Sequence, residues 1–181
     1  AEQFTVANLL AVNSNPYNAE MILDKGKNDN VYIGQPALDA SGIMGQIIQV
    51  GPLTSRLMLI TDTRSAVPVQ VNRNGLRAIA AGTGVNNELT LLNIIDTADI
   101  REGDVLTTSG LDLRYPEGYP VAIVTKVIHE PGQSFVRVMA KPSAQLYKSR
   151  QILLIWQRSK SLYEEARTQL NDAEKGMINP M

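Results

Sequence analysis

The sequence predicts an all-β fold, barrel-like or sandwich-like, that ends in a short C-terminal helical tail. Three observations predict it. Short runs of β-branched and other apolar residues recur along the chain, parted by Gly, Pro, Asn and Asp. No helical period of any length appears before residue 157. Beyond it, residues 159–177 switch to helical spacing. An apolar share of 44% against 19% charged supplies a real core for 181 residues, a length for one medium domain or two small ones.

In chain order, "QFTVANLLAV" (3–12) and "NAEMILD" (18–24) are the first two runs, and "KGKNDN" after them is a polar turn. "NVYIG" (30–34), "GIMGQIIQV" (42–50) and "SRLMLITD" (55–62) follow. "AVPVQVNRNGLRAIAAG" (66–82) is the clearest hairpin: Val67, Val69 and Val71 alternate with Pro68, Gln70 and Asn72, and Asn74-Gly75 suits a tight two-residue turn. "ELTLLNII" (88–95), "GDVLTT" (103–108), "PVAIVTKVI" (120–128), "SFVRVMA" (134–140) and "QILLIW" (151–156) complete the set. In "FVRVM", Arg137 faces water and turns Val136 and Val138 inward. The tail has a capping box, Ser161 with Glu164, and a thin stripe of Leu162, Ala166, Leu170 and Ala173, with Gly176 and Pro180 as its stop. That stripe predicts a peripheral helix that docks loosely, a partner-binding helix being the alternative.

Two stretches echo each other: "NVYIGQPALDASGIMGQIIQV" (30–50) and "DIREGDVLTTSGLDLRYPEGYPVAIVTKV" (99–127). Each has apolar residues then glycine (Gly34, Gly103), a short run ending in Ser-Gly (Ser41-Gly42, Ser109-Gly110), then a long strand, with a Pro-containing loop inserted in the second. Chance likeness of two hairpins is one reading. The other is two related small β-barrel-like domains. The expected division is a first β-domain over 1–97, with strand 3–12 able to cross to the second, a second over 98–156, and a helical or disordered tail over 157–181.

Seventeen basic and 18 acidic residues give a formal charge of −1, which offers no electrostatic reason to expect nucleic acid or a polybasic membrane contact. With no cysteine and one histidine, disulfides, thiolate metal sites, cysteine nucleophiles and multi-histidine sites drop out. No metal or cofactor is expected. No run reaches the apolar length of a membrane span. The start at Ala1 reads as a cut-out fragment whose upstream anchor would not be visible.

Ser109, His129 and a carboxylate such as Asp62 or Asp112 are a serine-hydrolase triad by type, with Gly110 able to lend an oxyanion N–H. "TTSGLD" is not the G-x-S-x-G elbow, however, and the histidine follows the serine. The blander reading makes Ser109 a turn residue and His129 a solvated strand end. "GTG" (82–84) lies between strands, so it is no phosphate cradle. The carboxylates of "DTRS" and "TADIREGD", near Arg64 and Arg101, read as solvated turn charges, and nothing in their spacing suggests a paired-carboxylate glycosidase. A glycan-binding module using Trp156 and the tyrosines is a further alternative, though these do not cluster in sequence.

Four stretches resemble the periplasmic part of the rod-shape-determining MreC family: "ILDKGKNDNVYIGQPALDASGIMGQIIQVGPLTSRLMLITD" (22–62), "VPVQVNRNGLRAIAAG" (67–82), "GDVLTTSGLDLRYPEGYPVAIV" (103–124) and "AKPSAQLYKSRQILLIW" (140–156). Tyr115 stands where that family usually has Phe, and Ala122 where it usually has Gly. The resemblance implies two small β-domains, one like half of a chymotrypsin-like barrel pair without a working triad. It implies a non-enzymatic scaffold of the cell-elongation machinery, in the periplasm of a bitopic inner-membrane protein whose anchor and coiled coil lie upstream. Its implied partners are the elongation-specific penicillin-binding transpeptidase, MreD, the MreB–RodZ system and further copies of itself. An incompletely closed barrel would offer an edge to a partner strand. The expected partner-binding residues are Leu111, Leu113, Tyr115 and Tyr119 in the loop "GLDLRYPEGYP", unless these cap the second domain's own core. Gly103, Asp104, Thr108, Ser109, Gly110, Pro116, Gly118 and Pro120 are expected to shape the turns around them.

Overall fold

The computed structural model describes residues 4–13, 15, 17–156 and 159–178. Among the described residues twelve antiparallel strands form two closed barrels, and one helix, α1 (Ser159–Ile178), follows them. The first barrel takes β1 (Phe4–Val12), β2 (Glu20–Leu23), β3 (Pro36–Asp39), β4 (Gly42–Val50), β5 (Ser55–Leu59) and β12 (Gln151–Ile155). The second takes β6 (Ala66–Val71), β7 (Arg77–Gly82), β8 (Leu89–Leu92), β9 (Val105–Thr108), β10 (Pro120–Ile128) and β11 (Arg137–Pro142).

This corrects the expected division. The second barrel begins at β6, not at residue 98, and it lies within the first, because β12 crosses back to seal the gap between β1 and β3. Strand β1 stays in the first barrel, paired to β12 and β2. Both barrels close, so the expected open edge is absent among the described strands. "NVYIG" is a turn rather than a strand: Asn30 (φ 62°) and Gly34 (φ 90°) both adopt left-handed backbone. The strand of that hairpin, β3, comes just after it. The Asn74-Gly75 turn is longer than a two-residue one, with only Gly75 at positive φ and Val71 N–H reaching Leu76 O at 2.8 Å. Helix α1 begins before Ser161 and runs through Gly176, so neither the capping box nor the glycine stop sets its ends; Pro180 lies outside the described residues.

The two barrels share one circular strand order, with β3-β4-β5-β2-β1-β12 in the first matching β9-β10-β11-β8-β7-β6 in the second. The register matches as well. Gly34 N–H donates to Ile47 O at 2.7 Å and Gly103 N–H to Val124 O at 2.8 Å; Ile47 and Val124 answer by donating to Gln35 O and Asp104 O, both at 2.9 Å. Both glycines sit near φ 90° (90° and 88°), a conformation a side chain disfavours. A bulge interrupts β4–β5 between Ile47 and Gln49, and β10–β11 between Val124 and Lys126, at the matching place. The echo in the sequence is therefore one hairpin used twice.

Alternation builds each core. In the first barrel Met21, Leu23, Ile43, Ile47, Leu57, Leu59, Ile152 and Leu154 are buried; in the second Val67, Val69, Val71, Leu89, Leu106, Val124 and Val138 are. Truncating one of the buried leucines to alanine costs about 2–5 kcal/mol. The chain passes between barrels at residues 60–65 and 143–150, and a buried aspartate holds each passage. Asp62 accepts from Ala19 N, Arg64 N and the Arg64 guanidinium (2.8–3.0 Å). Asp39 accepts from Gln145 N and Ser149 Oγ, both at 2.8 Å, while its other oxygen caps the β3–β4 turn through Ser41 N and Gly42 N. The barrels touch closely here: a β-carbon on Gly42 would lie 2.5 Å from Pro120 O, and one on Gly82 2.0 Å from Asp62 O.

Candidate partner-binding loop

Residues 109–119 join β9 to β10 where the first barrel has only the turn 40–41. Thr108 organises the loop's base. Its N–H donates to Tyr119 O at 2.8 Å, and its carbonyl accepts from Gly118 N at 2.9 Å. Its hydroxyl donates to Pro116 O and accepts from Tyr119 N. Ser109 N–H donates to Pro68 O at 3.1 Å, and Ser109 Oγ accepts from Leu111 N at 3.3 Å. That pattern turns the chain into a single 3-10 turn, Leu111–Leu113, entered through Gly110 at φ 73°. Pro120 then opens β10. Helix α1 reaches back to this turn.

Of the expected contact residues, Leu111 is 45% exposed. Tyr119 is half-buried against the core. The side chain of Leu113 lies outside the described residues. Tyr115 is not a surface anchor: it is 4% exposed and part of the core, and burial pushes its phenol well above the ordinary range despite the nearby Arg114 charge. An aromatic flanked by turn residues reads equally well as plug or anchor, and here it is buried in the core.

Two acid–arginine clusters correct the expectation of solvated turn charges for Asp62 and Asp104, whereas Asp99 and Glu102 are exposed as expected. Asp62 is 1% exposed, and with Glu20 (4%) it is bridged by Arg64, whose guanidinium lies 2.8 Å and 2.6 Å from them; Arg56 adds a contact to Glu20 at 2.8 Å. Burial raises both carboxyls, but the arginine hydrogen bonds outweigh it and hold both below the ordinary carboxylate range. Asp104 is 8% exposed; Arg73 grips it at 3.0 Å, reaches exposed Asp99 at 2.9 Å, and lowers both acids. Arg101 contributes its backbone N–H to Asp104. Nothing local marks Asp62 or Asp104 as buried; the signal is an arginine nearby in sequence or across a hairpin.

The triad candidates are not brought together. Ser109 lies beside the start of β10, and exposed His129 follows the end of that strand. Nine extended residues hold them roughly 30 Å apart. Both Asp62 oxygens already accept hydrogen bonds, and Asp112 sits in the 3-10 turn on the serine's side of β10. His129 instead borders a cavity of about 290 Å³ with Asp96, Glu130 and Phe135.

Residues 9–156 match the family described as rod shape-determining protein MreC, barrel core. The chain belongs to that family. It is 46% identical over 151 residues to the cell shape-determining protein MreC of Haemophilus influenzae, a match covering 83% of this chain and 43% of that protein. The chain therefore spans less than half the length of that MreC. A crystal structure of MreC from Pseudomonas aeruginosa superposes with a TM-score of 0.83 at 53% identity, covering 85% of this chain and 99% of that one. A structure described as a complex between Penicillin-Binding Protein (PBP2) and MreC from Helicobacter pylori shares the fold with a TM-score of 0.64 at 18% identity, covering 87% of this chain and 100% of the matched one. No described helix is long and apolar enough to cross a membrane.

Proposed function

We propose that this chain is the periplasmic, non-enzymatic scaffold region of a bitopic inner-membrane MreC, which binds the elongation-specific penicillin-binding transpeptidase and favours its active conformer. The observation that carries the reading is the H. pylori MreC, a protein of this fold described in complex with a penicillin-binding protein. The roughly 30 Å between Ser109 and His129 supports the absence of serine-hydrolase chemistry. Activation follows from a difference in affinity between two transpeptidase states, not from tight binding alone. Self-association and contacts with MreD and the MreB–RodZ system belong to the same proposal. Loop 109–119, with Leu111 exposed on a base braced by Thr108, is the proposed contact.

The test is titration onto the immobilised periplasmic region of the elongation transpeptidase, with a division-specific transpeptidase as control. Saturable binding to the first alone is expected. Leu111→Glu should weaken it at least tenfold while the thermal midpoint stays put. Equal binding to both enzymes, or no binding by folded chain, sinks the proposal.

A further inference from the structure

Matching the two barrels residue by residue exposes a difference that neither loop explains. In the first barrel Gln49 pairs with Arg56, and Gln46 with Met58. In the second, the same places hold Lys126 opposite Met139, and Ile123 opposite Lys141. The first barrel fills this part of its wall from within: the Arg56 guanidinium bonds Gln49 Oε1 at 3.0 Å and Glu20 Oε1 at 2.8 Å, and Met58 is 4% exposed. In the second, methionine replaces that arginine, and the wall is left as an open groove of about 390 Å³. Lys126, Arg137 and Lys141 border it, with Met139 and Ile128 between them and Val85, Asn86, Asn87 and Glu88 forming the far side. Residues 137, 139 and 141 alternate outward along β11, while Val138 and Ala140 are buried.

We infer that this groove docks an extended acidic peptide segment of a protein partner, with carboxylates at alternate residues. This goes beyond the transpeptidase reading and does not rest on it. Lys126 and Lys141 face a single lining carboxylate, Glu88, and Arg137 adds a third cation that also reaches Glu130 at 3.8 Å, which leaves a local positive excess in a chain of formal charge −1. Strand spacing puts Lys126 and Lys141 about 8 Å apart at Cα, close to the roughly 7 Å between alternate side chains of an extended peptide. Met139 and exposed Val85 offer apolar contact to the residue between. The amides of Asn86 and Asn87 can pair with peptide backbone. These features favour a peptide over a lipid headgroup. The sequence signal was available in "RVMAK" (137–141), with cations at both ends of one strand face.

The experiment titrates acetyl-Glu-Val-Glu-Val-Glu-amide into the isotope-labelled full chain and follows amide shifts. Expected are shifts at Lys126, Met139 and Lys141, at least tenfold weaker binding by the double variant K126E/K141E, and similar weakening by high salt. The double variant should keep the wild-type spectrum elsewhere, and Gln49→Glu on the first barrel should leave binding unchanged. No shift at millimolar peptide, shifts away from the groove, or equal binding of the Gln-for-Glu peptide overturns the inference. So does binding of phosphatidylglycerol vesicles, lost in the double variant, by a chain that ignores the peptide.

Discussion

The two barrels follow one plan and are completed in different ways. The second is a continuous stretch, β6 to β11. The first recruits its sixth strand, β12, from beyond the whole of the second. The first carries a tight turn between β3 and β4; the second carries loop 109–119 at the matching place. The first buries two carboxylates under Arg64 and Arg56, whereas Arg73 in the second serves one buried and one exposed acid. One barrel is thus invested in holding the chain together, and the other has surface to spare.

The largest expected effect separates the two kinds of closure. Ending the chain at residue 149 removes β12 and opens the first barrel, so its amide spectrum should collapse, while residues 64–143 expressed alone should keep a dispersed one. Collapse of both would mean that the barrels fold only as a unit.

Next comes Arg64→Ala, which strands Glu20 and Asp62 without their shared cation. Urea unfolding should show a loss of about 2–3 kcal/mol, reduced from the fully buried case because Arg64 is half in solvent. Arg73→Ala should cost less, since Asp99 is exposed. A larger loss at Arg73 breaks the contrast.

Acid sharpens the same contrast. Glu20 and Asp62 sit below the ordinary carboxylate range only when folded. Their stabilisation is therefore complete above about pH 4–5 and drains as pH falls through the folded values. Arg64→Ala should flatten the fall in urea midpoint between pH 5 and pH 2 more than Arg73→Ala does.

The smallest effect is the most exacting. Gly34→Ala and Gly103→Ala place a methyl in open space at nearly equal φ. Each should lose about 1 kcal/mol, and the two thermal shifts should agree. Disagreement would show that the matched hydrogen bonds do not make the sites equivalent.

Strand content was legible because alternation and turn chemistry are local: β4 and β10 fall where "GIMGQIIQV" and "PVAIVTKVI" put them. The repeat was legible in Gly34 and Gly103. The strand exchange was not, because "QILLIW" looks alike whichever barrel it closes. Burial of Asp62 and Asp104 was hidden for a similar reason: a loop carboxylate reads as solvated until the fold delivers its arginine. The failure of the triad was partly legible, since Ser109 and His129 bracket the run 120–128 and an extended run holds its ends apart.

Strands β1 and β12 lie antiparallel with Phe4 opposite Ile155. The entry to the first barrel and the exit from it are therefore neighbours on one rim. A mechanical pull that separates these two strand ends meets the pairs Phe4–Ile155, Thr5–Leu154 and Val6–Leu153 one at a time, like a zipper, instead of shearing them together. Under tension the first barrel is weakest at the seam where its own chain begins and ends it, while the second, which has no such seam, is spared.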